Sequence, residues 1–180
     1  MNDPFADLGR LEDHVWARLA KGSMRSDDAF RFAVLATTGV DGPEARMMVV
    51  RRVDRVMREI ELHSDLRTAK VRMLRIEPRA ALLFWDAETR MQVRLSVAMR
   101  VVTGDPDRWL RIPVEARRNY GTDPAPGMPV GDPDGVTRSA EIARFGALVG
   151  DVRCIDTLSL AHEPHRRARF DPAGATWVAP

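Results

Sequence analysis

Two apolar runs separated by a tight turn constrain the fold of this chain more than any other feature. Phe30 to Thr38 is apolar and partly β-branched, Gly39-Val-Asp-Gly-Pro43 is a turn, and Ala45 to Val53 is apolar again. Two such runs joined by an Asp-Gly turn predict an antiparallel hairpin. The pattern recurs. Arg55 to His63 reads as a third strand, Ala80 to Trp85 as a buried fourth, and Asp86-Ala-Glu-Thr as the turn into a long strand from Met91 to Val102. Asp151 to Ala161, Arg166 to Asp171 and Ala175 to Val178 read as closing strands. Hairpins in this number close their edges best by pairing into a barrel.

Helical spacing appears only between these runs. Leu8, Leu11, Val15 and Leu19 mark an amphipathic helix from Leu8 to Met24, with Asp3 or Asp7 as cap and Gly22 near its end. Leu66 to Ile76 is a second helix, stopped by Pro78. Asp105 and Pro106 open a third, and Ser139 to Val149 reads as a short fourth capped by Ser139. Residues 122–135 are rich in Pro and Gly and form a loop. The expectation is one mainly β domain over residues 1–180, a mostly antiparallel barrel with peripheral helices and an N-terminal helical arm over residues 1–29.

Composition narrows the function classes. A net charge of +2, with arginines interleaved among acids, offers no basic face for nucleic acid. No apolar run reaches the length of a membrane span, and Met1 to Phe5 lack the basic and apolar regions of a signal peptide. Cys154 is the one cysteine, so no disulfide forms within the chain. A reducing cytoplasm is the expected setting. Lys21 and Lys70 are the only lysines, which draws attention to Lys70 as a compact point charge.

Three segments carry chemistry, in order. Arg46-Met-Met-Val-Val-Arg51 brackets four apolar residues with cations. Ser64-Asp-Leu-Arg-Thr-Ala-Lys70 is a turn bearing hydroxyls and cations, and Gln92 is a polar amide within an apolar strand. A nucleotide phosphate wants Arg, Lys, hydroxyl and backbone donors, while a flavin ring wants an apolar slab and a few polar contacts at its edge. The trio can supply both for flavin mononucleotide (FMN).

The stretch from Phe32 to Val102 resembles the pyridoxamine 5′-phosphate oxidase family of FMN-binding split barrels. Its signatures of the type Arg-x-Val-Leu-Leu-Lys, Thr-Asn-x-x-Ser-x-Lys and Arg-Gln-Val appear as Arg46–Arg51, Ser64–Lys70 and Met91-Gln92-Val93. A weaker match is His165-Arg166-Arg167, followed by Trp177 and Pro180. The resemblance implies that Arg46 and Lys70 hold the FMN phosphate with help from Ser64 and Thr68. Met47, Met48, Val49 and Val50 would run under the ring, and Gln92 would address its pyrimidine edge. Arg167 would reach the same ring from a second subunit, so FMN would lie at the interface of a homodimer. Arg51 stands where the family has a lysine that touches substrate phosphate. His63 stands at a family tyrosine. His165 stands at a substrate-binding histidine and is the one candidate for a catalytic group.

Departures from the pattern concern the substrate. Ala69 replaces a cation beside Lys70, no Gln-Ser pair follows the segment Trp109 to Tyr120, and Glu163 sits where a cation is expected. An acid there opposes an anionic substrate. The implied function is an FMN-dependent oxidoreductase acting on a small molecule. The alternatives are pyridoxamine 5′-phosphate oxidase itself, or a non-catalytic binder of flavin or haem.

Overall fold

The computed structural model describes residues 3–180; Met1 and Asn2, which begin the N-terminal stretch read above, lie outside them. After a short 3-10 turn at Pro4–Ala6, helix α1 runs Leu8–Met24. The strands β1 (Phe32–Thr38), β2 (Pro43–Asp54) and β3 (Glu59–Asp65) precede helix α2 (Ala69–Ile76), then come β4 (Arg79–Asp86) and β5 (Met91–Thr103). Helices α3 (Pro106–Leu110) and α4 (Val114–Arg117) lead to a two-residue ribbon, β6 (Thr122–Asp123) with β7 (Thr137–Arg138). The chain ends with β8 (Phe145–Ser159), β9 (Arg166–Asp171) and β10 (Gly174–Val178).

All main-sheet pairings are antiparallel, and the order β10-β9-β8-β3-β2-β1-β4-β5 closes through an added pairing of β5 with β8. Six strands therefore form a barrel, and β9 and β10 extend from it as an outer hairpin. The split is made by β8. Its first half pairs β3, its last five residues pair β9, and β5 lies along its other edge.

Inward side chains of the barrel, such as Leu35, Val50, Leu62, Leu82, Leu95 and Ile155, are fully buried. Helix α1 lays Leu11, Val15, Trp16 and Leu19 onto the same core, each apolar side chain contributing about 1.5–3 kcal/mol. Asp7 caps the helix by accepting the Arg10 amide N–H. Its last turn reaches Phe30 so closely that a Cβ on Gly22 would lie 2.5 Å from that residue's carbonyl carbon and oxygen.

The expected helix from Ser139 to Val149 is corrected by the structure. A 3-10 turn at Ile142–Arg144 leads directly into β8. Phe145 to Gly150 are buried on both faces, because β8 is flanked by β3 and β5 and covered outside by a second cluster of Ile112, Tyr120 and Phe145. A strand buried on both faces loses its alternation. Gly146 packs closely against Leu66, and Gly150 against Met99. The same spacing imitates a helix in sequence. Among the described residues, no helix is long and apolar enough to cross a membrane.

Candidate functional site

Strands β2 and β3, the start of α2 and the segment from Asn119 to Val136 enclose a cavity of about 480 Å³. Met48, Arg51, His63, Ser64, Thr68 and Lys70 line it. A second cavity of about 490 Å³ shares Thr68 and Lys70 and adds Arg46, Arg67 and Arg72. Ala125 to Met128 line both, so the Pro/Gly-rich loop lies over the site.

Local structure explains the convergence. A β-bulge between Val50 and Arg52 breaks the register of β2 with β3 and frees Arg51 from the alternation that buries Val50. Thr68 is the residue before α2 but makes no side-chain cap bond, so its hydroxyl does not close the helix N-terminus. It donates to the Asp65 carbonyl instead, at 2.9 Å, and lies 3.1 Å from the Ser64 hydroxyl. Uncapped first-turn N–H groups, a hydroxyl pair and cations are the donor set that a phosphate requires.

Lys70 forms no ion pair among the described residues. Burial pushes its amine below the usual lysine value, and Arg46 nearby pushes the same way against a smaller pull from Asp65. Arg46 is already engaged: it donates to Thr37 Oγ1 at 2.7 Å and to Glu44 Oε2 at 2.6 Å. Arg67 is likewise held by Asp65 and by the Thr122 carbonyl, and thereby ties the covering loop to the turn before α2.

Among the described residues, three buried side-chain polar atoms lack any hydrogen-bond partner: Arg51 Nε, His63 Nδ1 and Thr122 Oγ1. All three belong to residues lining the 480 Å³ cavity. Leaving such a group unpaired costs about 1–3 kcal/mol, and the three residues that carry them share the wall of one cavity. The cavity fits the phosphate and polar chain of FMN in its donor set.

Other residues named from the sequence lie elsewhere. Met47 and Val49 face the outer surface of the barrel, while Val50 is in the core and offers only backbone. Gln92 also faces outward, paired across the sheet with Trp85 and Leu158, and Leu158 pairs with Arg167. Gln92 and Arg167 therefore share one face, apart from the Lys70 cavity within a single chain. Arg167 is clamped by Asp156, which raises its pKa. His165 and Arg167 line a third cavity of about 520 Å³ with Phe5, Ala6, Trp177 and Val178. Glu61, Asn119, Tyr120 and Thr122 had not stood out in the sequence. Tyr120, the only tyrosine in the chain, was the one with a visible signal.

Comparison with known proteins is consistent with this geometry. Residues 13–103 match the family model described as pyridoxamine 5′-phosphate oxidase, FMN-binding domain. A stretch of 62 residues, 34% of the chain, is 44% identical to a pyridoxine/pyridoxamine 5′-phosphate oxidase of Thermosynechococcus vestitus, and it spans only 28% of that oxidase. A pyridoxamine 5′-phosphate oxidase-related, FMN-binding protein of Nostoc punctiforme superposes with a TM-score of 0.77 at 24% identity, covering 93% of this chain and 96% of that one. PhzG of Burkholderia lata, in complex with tetrahydrophenazine-1-carboxylic acid, superposes with a TM-score of 0.74 at 17% identity, covering 100% and 98%. At these identities the structural likeness carries the fold.

Proposed function

Because this chain belongs to the FMN-binding pyridoxamine 5′-phosphate oxidase family, we propose that it binds FMN beside α2 and acts as an FMN-dependent oxidoreductase on a small molecule. The observation that carries the reading is the cavity itself, where Lys70, Ser64, Thr68 and the uncapped start of α2 meet three partnerless buried atoms. Lys70 and Arg46 would neutralise the phosphate, and the Ser64 and Thr68 hydroxyls would turn toward it from the Asp65 carbonyl. Bound there, FMN would supply two-electron redox chemistry. The loop from Thr122 to Val136 would exclude water from the same space.

The substrate is proposed to differ from pyridoxamine 5′-phosphate. Arg167, which the resemblance places near the ring, has its charge balanced by Asp156, and Glu163 stands in the sequence where the resemblance expects a cation. Neither favours a second phosphate.

The assembly is proposed to be a homodimer. Phe32, Met47, Leu83 and Trp85 are 47%, 60%, 36% and 44% exposed, and they form one outward apolar face with Val34 and Val49. Exposed apolar faces of this kind mark association sites. Gln92 and Arg167 adjoin this face, so a second copy seated on it would bring them to its neighbour's flavin.

The test is the visible absorption spectrum of protein purified without added cofactor, with mass identification of what denaturation releases. Flavin bands with FMN released are expected. A colourless protein that refuses added FMN would sink the reading.

A further inference from the structure

The 490 Å³ cavity is lined by four cations, Arg46, Arg67, Lys70 and Arg72, and by one acid, Glu44. Their partners divide the cations into two pairs. Arg46 meets Glu44 at 2.6 Å, and Arg67 meets Asp65 at 2.7 Å while also donating to the Thr122 carbonyl. Lys70 and Arg72 form no ion pair among the described residues. The facing wall, Ala125 to Met128, carries no charged side chain. Both unbalanced charges of this cavity therefore stand on α2.

Arg72 is aimed by its own helix. It lies three residues after Ala69 and four after Thr68, the spacing that stacks side chains on one helical face, and both of those residues line the same cavity. Helical side chains lean toward the N-terminus. Arg72 follows that lean and donates Nη1 to the Arg67 carbonyl at 2.7 Å. Its Nε and Nη2 make no hydrogen bond among the described residues. That edge is the planar fork by which a guanidinium takes two oxygens of one phosphate. Ala69, small and exposed, leaves the space beneath it open.

We propose that Arg72 is the second charge-balancing cation of the flavin phosphate site. A phosphate monoester carries about two negative charges at neutral pH. Lys70 balances one, and the Nε–Nη2 edge of Arg72 balances the other. Arg46 and Arg67 shape the walls, but their charge is already matched by Glu44 and Asp65. The inference rests on reading FMN beside α2, and it goes beyond that reading, because the segment that resembles the family ends at Lys70. It also assigns a selectivity: the site favours the phosphorylated flavin over riboflavin, and Arg72 supplies a measurable share of the difference.

The experiment titrates FMN and riboflavin separately into cofactor-free protein at low salt and follows flavin fluorescence. Wild type is compared with Arg72→Gln and with the double change Ala69→Arg and Arg72→Gln. Glutamine keeps a good helix former at the position and removes only the charge. Arg72→Gln is expected to weaken FMN about fivefold, as for a partly solvated ion pair, and to leave riboflavin unchanged. The double change returns a guanidinium to the same wall and is expected to recover most of the loss. Equal FMN affinity in wild type and Arg72→Gln overturns the proposal. So does an equal loss for riboflavin, or a loss that Ala69→Arg does not recover at all, since either gives Arg72 a structural part only. Wild type that binds neither flavin removes the flavin reading and this inference with it, whereas the other failures leave that reading standing.

Discussion

Asp156 holds Arg167 through both carboxylate oxygens, at 3.0 Å from Nε and 2.8 Å from the terminal nitrogen, while Arg94 approaches the second of these oxygens at 2.5 Å. Burial works to raise the Asp156 pKa, and the two arginines overcome it, so the carboxyl titrates below its ordinary value. A depressed carboxylate contributes stability above the unfolded-state value, and that contribution is lost as pH falls through the folded value. Wild type is therefore expected to melt above Asp156→Asn at neutral pH. The gap should narrow in acid, as pH falls below the ordinary carboxylate value. Melting curves at the two pH values check this, and a gap unchanged in acid would contradict it.

Lys70 shows the opposite sign. Its amine is depressed by burial and by Arg46, so the charged form is disfavoured in the ligand-free fold. That cost is present at neutral pH and fades only as pH rises toward the ordinary lysine value. Lys70→Met should raise the melting temperature of cofactor-free protein by about 2 °C. With FMN added, the order should reverse. The double change Arg46→Ala and Lys70→Ala should leave the fold intact and release FMN on gel filtration; undiminished retention would place the phosphate elsewhere.

Gly22 is required by packing rather than by backbone conformation. The Cβ of an alanine there would meet the Phe30 main chain at 2.5 Å, which no rotamer change relieves. Gly22→Ala should destabilise the protein by about 1–3 kcal/mol despite the better helix propensity of alanine. Chemical denaturation measures it, and an unchanged midpoint would mean that α1 slides freely.

The outward apolar face can be tested by charge. Leu83 pairs with Val34 on one side and Arg94 on the other, at the centre of that face. Leu83→Glu should shift sedimentation from dimer to monomer and lower FMN retention, with circular dichroism unchanged. A dimer that survives would move the interface elsewhere.

Much of this was legible because local signals and tertiary structure agree. The apolar stripe from Leu8 to Leu19 gives α1 to the residue, and the turn at Gly39 to Pro43 gives the first hairpin. Arg51, Ser64, Thr68 and Lys70 could be grouped because they stand on adjoining elements. Phe145 to Gly150 misled because burial on both faces erases alternation. Glu61 falls unmarked within the strand expected from Arg55 to His63, since nothing in the order of residues tells that Arg108 will fold back onto it across 47 positions.

The continuous run of β8 has a consequence for how this chain tolerates change. Phe145 at its start packs on His63, and Leu158 near its end stands between Gln92 and Arg167. One added or deleted residue within it would turn every later side chain to the opposite face and uncouple both ends at once. Residues 124–136 carry no such register and can lengthen or shorten freely. New ligands are therefore open to this scaffold by insertion over the cavity, while β8 admits substitution alone.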